Sequence, residues 1–247
     1  MPRGFSFPAR LWNMTDRYAD RARNTNQNAG LVLGQGDCRG APHLLVIRKA
    51  GLVILEVPKT GTQALRGMLG RHAAVGFGGA PRHIGAGAYA GRHAEALAAE
   101  IGRVPETVAV VRAPIERLAS WHRFLQRDRV AGTTRSTIGI SFDDFVQASL
   151  SRTPPLHADV GRQDRQVGWN GSEAAVDHLF DYDRLDLLVD FLAQRITLSR
   201  GLTERNASPR VPTGPLSPET EADLRKRNAA EFAMYAAVAA KGYLRRT

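Results

Sequence analysis

Three short apolar runs, each feeding into a helical pattern, constrain this chain more than any other feature. They are Leu52-Val53-Ile54-Leu55-Glu56-Val57, Thr107-Val108-Ala109-Val110-Val111-Arg112 and His178-Leu179-Phe180-Asp181-Tyr182. Each is rich in β-branched or aromatic residues and too short for a buried helix. The first is apolar throughout except at Glu56, as in a strand buried on both faces. Behind it, Leu65, Met68 and Leu69 recur at helical spacing. Behind the second, Pro114 suits a first helical turn, and Ile115, Leu118, Ala119, His122 and Leu125 fall near one face. Behind the third, 183–196 reads as an amphipathic helix. This alternation predicts an α/β fold with a central, mostly parallel sheet flanked by helices. Loops after such strands gather at one edge, where ligands bind.

The remaining segments fit around that frame. Leu44-Leu45-Val46-Ile47-Arg48 precedes the first run across Lys49-Ala50-Gly51, the pattern of two strands and a tight turn. Residues 75–91 read as a Gly- and Ala-rich loop before a helix over 93–101. Residues 130–140 are a Thr-rich, flexible stretch. Residues 142–150 are a helix capped by Ser141, with Asp143 and Asp144 in its first turn. A long polar loop covers 151–172, and a Pro-rich loop covers 200–216. A last helix opens at Ser217-Pro218-Glu219 and runs to Lys241. Residues 1–42 are polar and rich in Gly and Arg, an N-terminal arm or extension, which leaves 43–247 as one folded domain.

A formal net charge of +10 favours anionic partners. The charge is spread along the chain, and 30 Arg against 4 Lys is the skew of a GC-rich, bacterial-like coding bias. Against that background Lys59 stands out, because a compact ammonium does work that a planar guanidinium does less well. The single cysteine, Cys38, excludes an intrachain disulfide and a Cys-based metal cluster. No paired His/carboxylate spacing supports a metal site. The N-terminal residues lack a secretory pattern, and no apolar stretch approaches the roughly 20 residues of a membrane span. The expected compartment is cytoplasmic.

Pro58-Lys59-Thr60-Gly61-Thr62 lies between the first strand and its helix. A helix N-terminus presents unpaired N–H groups and partial positive charge, so this turn is an anion site by construction. Lys59 adds a full charge, Thr60 and Thr62 add hydroxyls, and Gly61 permits close backbone approach. Lys precedes Gly here, unlike the triphosphate loop, in which Gly-Lys-Ser/Thr follows an earlier Gly after four spacers. A second candidate follows the next strand: Arg112 and, on the helix, Ser120 can both hydrogen-bond a phosphate.

Together these motifs resemble those of sulfotransferases that use 3′-phosphoadenosine 5′-phosphosulfate (PAPS). The first is similar to the Pro-Lys-Thr-Gly phosphosulfate loop of the carbohydrate-type family. Arg112, Pro114, Arg117 and Ser120, followed by Trp121, match every specified position of that family's 3′-phosphate motif Arg-x-Pro-x-x-Arg-x-x-Ser. The resemblance covers roughly residues 44 to 243 and implies a P-loop-like three-layer fold. It implies that Lys59, Thr60, Gly61, Thr62 and Gln63 hold the 5′-phosphosulfate. Arg112 and Ser120 would hold the 3′-phosphate, and Arg117 would orient its helix. By the same resemblance Lys59 is catalytic and His83, in Pro81-Arg82-His83, is the general base, with Glu56 in reserve.

His122 reads as packed, and His157 can reach an acceptor from its loop. Asp181 and Asp183 read as orienting structure. Asn206, Ser208 and Arg210 lie in a loop similar to the Asn-x-Ser loop that family members carry before a last helix, which also reads as a plain loop with a helix cap. The implied reaction moves a sulfuryl group from PAPS to a hydroxyl of a carbohydrate or small molecule, with no metal and no nucleic-acid partner. Two alternatives stand beside it. A small-molecule or nucleotide kinase of related fold lacks its triphosphate loop. A non-enzymatic polyanion-binding module has no recognised motif and only 7% aromatic residues for stacking. The acceptor, the oligomeric state and the role of residues 1–42 are not encoded in any readable motif.

Overall fold

A computed structural model describes residues 44–69, 74–75, 82–198 and 213–247. The arm over 1–42, Cys38, and the loop carrying Asn206, Ser208 and Arg210 lie outside the described residues. Six strands form one sheet: β1 (Leu45–Ile47), β2 (Leu52–Ile54), β3 (Ala74–Val75), β4 (Glu106–Val111), β5 (His178–Asp181) and β6 (Tyr243–Arg245), in the order β3-β1-β2-β4-β5-β6. Each of the three apolar runs holds a strand, though the first only over Leu52–Ile54, and these strands lie side by side in the sheet.

The sheet is mixed, not mostly parallel. β2, β4 and β5 run parallel, with Leu52 opposite Glu106 and Val108 opposite His178. β1 pairs antiparallel with both β2 and β3, and β6 pairs antiparallel with β5. Connection length decides this. A tight turn, closed by Ala50 N to Ile47 O and Gly51 N to Arg48 O at 3.1 Å, can join only antiparallel neighbours. Parallel pairing requires a crossover, and β2→β4 and β4→β5 have one.

Helices cover both faces. α1 (Thr62–Leu69) follows β2; α2 (Ala86–Arg92) and α3 (Ala94–Ile101) precede β4. α4 (Pro114–Phe124), α5 (Phe142–Ser149) and α6 (Gln163–Val167) lie between β4 and β5. α7 (Leu185–Ala193), α8 (Pro218–Arg227) and α9 (Ala229–Ala239) complete the helices among the described residues. Strand alternation sorts the core. Val53, Leu55, Ala109, Val111 and Leu179 pack with Tyr89, Leu97, Val167, Met234 and Val238 on one face. Ile54, Val108, Val110 and Phe180 pack with Leu65, Met68, Leu188 and Leu192 on the other. The fold is therefore α/β in three layers.

Several segments depart from the sequence expectation. The Ala-rich stretch expected as loop holds α2: alanine is the best helix former, and Ala86 and Tyr89 give it a buried side. The polar loop over 151–172 contains α6. The helix after the third apolar run, α7, begins at Leu185, after a 3₁₀ turn over Tyr182–Arg184. The long C-terminal helix is two helices broken at Asn228 (φ −107°, ψ 26°). In the Thr-rich stretch Thr137 is fully buried and donates its hydroxyl to the His122 carbonyl at 2.8 Å. Ser141 caps α5 as expected, accepting from Asp144 N. No helix among the described residues is long and apolar enough to cross a membrane.

Candidate functional site

Parallel pairing of β2, β4 and β5 brings the segments after them to one edge of the sheet, and these hold most of the expected site residues. In the turn after β2, Lys59 has φ 72°, the only left-handed non-glycine among the described residues, and Gly61 has φ 75°. A non-glycine residue held there stores about 1–2 kcal/mol of strain. Gly61 is required twice over: its φ disfavours a side chain, and an added Cβ would lie 3.1 Å from Tyr182 Cε2. Thr60 is buried and donates its hydroxyl to the Val57 carbonyl at 2.7 Å, closing the turn and committing that proton internally. Thr62 accepts from Arg82 at 2.9 Å, which leaves its own O–H free to donate. The first bond into α1 runs from Leu65 N to the Gly61 carbonyl. The N–H groups of Thr62, Gln63 and Ala64 thus have no intrahelical partner.

Lys59 is enclosed by aromatic rings and by cations. Its Nζ lies 3.9 Å from the centroid of Phe124 and 5.5 Å from that of Trp121. Loss of hydration, then repulsion from Arg127, Arg112, Arg129 and Arg123, pushes its pKa down from 10.5 to about 7. A depressed lysine beside several arginines concentrates positive charge at this edge of the sheet.

Arg112 ends β4. Its guanidinium stacks over the Tyr182 ring at 4.6 Å and approaches Glu116 at 3.4 Å. Tyr182, directly after β5, therefore touches both Arg112 and the Gly61 turn. Ser120 lies on α4 with 8% of its surface exposed. Arg117 is buried and bonds the Val160 and Gly161 carbonyls and Glu231, so it ties α4 to the loop before α6 and to α9. His122 packs against Phe142 and Phe145 and bonds the Ile140 carbonyl.

Glu56 is closed to solvent. Its carboxylate accepts from Arg66 Nε at 2.9 and 3.0 Å and from Arg82 at 3.2 Å. Two guanidinium groups occupy the lone pairs a general base would use, so Glu56 braces the turn to α1 and to the segment before α2. His83 donates from Nδ1 to the Glu56 carbonyl at 2.8 Å, which brings it to the foot of the Lys59 turn. His83 is exposed at the surface, while the bond from its Nδ1 is half-buried. Desolvation and the Arg82 charge push its pKa down to about 4, against the opposing pull of Glu56. At neutral pH the ring is uncharged, and Nε2 carries the free lone pair.

Sequence reasoning missed the residues that join these parts. Gln163 Oε1 accepts from Arg112 N at 2.9 Å, and its Nε2 donates to the Arg112 carbonyl at 2.8 Å. Gln166 Nε2 donates to the Glu56 carbonyl at 3.0 Å, the same oxygen that holds His83. α6 therefore ties the end of β4 to the end of β2. No signal in a polar loop marks this pair. Tyr182 could have been found, because it follows a central parallel strand at the ligand edge.

Asp181 and Asp183 flank Tyr182. Asp181 Oδ1 accepts from Asp183 N, and Asp183 accepts from Tyr235 OH at 3.4 Å, contacts that order the start of the 3₁₀ turn. Among the described residues, no group of three or more His, Cys, Asp or Glu is placed to hold a metal ion. Comparison with protein families, curated proteins and solved structures finds no match to this chain.

Proposed function

We propose that residues 43–247 form a sulfotransferase that moves the sulfuryl group of PAPS to a hydroxyl of a carbohydrate or small molecule, on a P-loop-like α/β scaffold. The observation that supports this most is the pairing of two cationic centres, Lys59 after β2 and Arg112 after β4, at one sheet edge with Tyr182 beside both. One centre suits the 5′-phosphosulfate and the other the 3′-phosphate. Lys59, the hydroxyl of Thr62 and the N–H groups opening α1 serve the first; Arg112 and Ser120 serve the second. Left-handed residues at 59 and 61 curve the backbone as anion-binding concavities require.

In the reaction the acceptor oxygen forms a bond to sulfur as the bond from sulfur to the bridging oxygen of the 5′-phosphate breaks. The electron pair stays on the departing 3′-phosphoadenosine 5′-phosphate (PAP), where Lys59 stabilises it. The acceptor's proton passes to Nε2 of His83. Gln166 and His83 share the Glu56 carbonyl, which holds the imidazole in the tautomer that accepts at Nε2. The test is incubation with PAPS labelled on sulfur and a panel of sugars, phenols and alcohols. Label should appear on an acceptor with one PAP formed per transfer. Transfer of phosphate from ATP to the same acceptors would instead make the protein a kinase.

A further inference from the structure

One guanidinium group spans the turn that carries Lys59. Arg82, in the segment before α2, donates from Nε and Nη2 to the two Glu56 carboxylate oxygens at 3.2 Å. The same Nη2 donates to Thr62 Oγ1 at 2.9 Å. Glu56 lies just before the turn at 58–62, and Thr62 opens α1. The next residue, His83, holds the Glu56 backbone carbonyl from Nδ1 at 2.8 Å. Residues 82 and 83 therefore grip Glu56 by its side chain and by its backbone. Arg66 already gives this carboxylate a counter-charge, with Nε at 2.9 and 3.0 Å from its oxygens. What Arg82 adds is the contact to Thr62 and a positive charge beside His83.

Each addition fixes a proton. A hydroxyl has a single proton to donate. Thr60 directs its own to the Val57 carbonyl. Thr62 Oγ1 meets an N–H of Arg82, so its proton must point away from that guanidinium. Without Arg82 the hydroxyl turns freely, and ordering it falls to the ligand, at a cost in affinity. At His83 the charges that bear on the ring are Arg82, Glu56 and Arg66, and α6 approaches it with the neutral Gln166. Desolvation and then Arg82 favour the neutral imidazole, while the Glu56 hydrogen bond and charge favour the imidazolium. An imidazolium has no lone pair at Nε2 and accepts no proton there.

We propose that Arg82 is a positioning residue for the transfer step: it makes the Thr62 hydroxyl a donor to the bound anion and keeps Nε2 of His83 open to the acceptor's proton. The roles of Thr62 and His83 rest on the sulfotransferase reading given above; the grip of Arg82 on both does not.

The test has two arms, both on the full chain. In the first, the His83 imidazole is titrated by NMR without ligand, its signal assigned by its loss in His83→Gln. Arg82→Met should raise the midpoint by about half a unit or more, and Arg82→Lys, which keeps the charge, should leave it within about 0.2 units. A residue that only braced the fold would move it alike in both. In the second arm, calorimetry gives the Kd for PAP in a double-mutant cycle with Thr62→Val. Arg82→Met should weaken PAP about fivefold in the unaltered background and less than about twofold in Thr62→Val. Loss of charge alone would weaken binding by the same factor in both backgrounds. If Arg82→Met does not fold, Arg82→Gln, which keeps a donor without the charge, takes its place. The proposal is overturned by an unmoved His83 midpoint, by equal movement in the Met and Lys variants, or by equal losses of PAP affinity in the two backgrounds. An unaltered chain that binds inorganic sulfate in an NMR titration but not PAP sinks the donor reading, and the same cycle run with sulfate still decides Arg82. Binding of neither anion overturns both.

Discussion

The proposed donor role of Lys59 makes PAP binding depend on pH, and the size of the effect follows from its surroundings. Enclosure and the neighbouring guanidinium groups lower its pKa to about 7, so near neutrality about half the molecules carry a neutral amine there. An incoming phosphosulfate or phosphate favours the ammonium and moves the pKa back toward 10.5. Binding therefore takes up a proton, and affinity falls as pH rises between the free and bound values. With those limits, the Kd for PAP should weaken by about 20-fold from about pH 7.5 to about pH 9. That window lies above the second ionisation of the phosphates, near 6, and far above the titration of His83. Calorimetry in buffers of different ionisation enthalpy reads both the Kd and the proton uptake. Lys59→Met should bind more weakly near pH 7.5 and show a flat profile. A flat profile in the unaltered chain, or the same slope in Lys59→Met, would refute the electrostatic account of this site.

The same lysine makes folding less favourable. Its pKa is lower folded than unfolded, so the unfolded chain binds more protons between about 7 and 10.5, and stability contributed by this group rises with pH across that window. Lys59→Gly removes both this penalty and the strain at φ 72°, and should raise stability by about 1 kcal/mol or more in urea unfolding near pH 7 while PAP binding falls. Arg112→Ala should weaken PAP by roughly 1.5–3 kcal/mol, about 10- to 150-fold; among the described residues its side chain pairs with Glu116 and stacks on the Tyr182 ring. Glu56→Gln leaves two guanidinium groups without their shared carboxylate and should cost roughly 3 kcal/mol of stability in urea unfolding. His83→Ala should lower the sulfuryl-transfer rate by about 10²–10⁴ with little change in PAP affinity; full turnover in that variant would remove His83 from the mechanism.

What the sequence disclosed depended on how local the determinants were. The strands β2, β4 and β5 were legible because each is a continuous apolar run, and the turn at 58–62 because its residue types are special within a few positions. β3 and β6 were not: two or three residues carry no period, and β6 forms only because the turn at Gly242 returns the chain against β5. α2 was hidden because an Ala- and Gly-rich stretch has helix propensity but no polar face to set a period. At the site, Lys59, Arg112 and Ser120 were readable as motif positions. The inward turn of the Thr60 hydroxyl and the clamp on Glu56 were not, because both depend on partners set by tertiary packing. Gln163 and Gln166 are the extreme case. They sit in a polar segment, yet Gln163 is fully buried and Gln166 nearly so, because each satisfies the backbone of a strand end that comes from far away in the chain.

The central claim is that one sheet edge holds two phosphate groups of a single nucleotide. Calorimetric comparison of PAP, adenosine 5′-phosphate and ATP near pH 7 tests it most directly. The Lys59–Arg112 pairing predicts that PAP binds at least about tenfold more tightly than adenosine 5′-phosphate, which lacks the 3′-phosphate, and that Arg112→Ala abolishes the difference. ATP, which also lacks the 3′-phosphate, should bind more weakly than PAP. Binding of ATP as tight as PAP, or a preference for PAP that survives Arg112→Ala, would contradict the account.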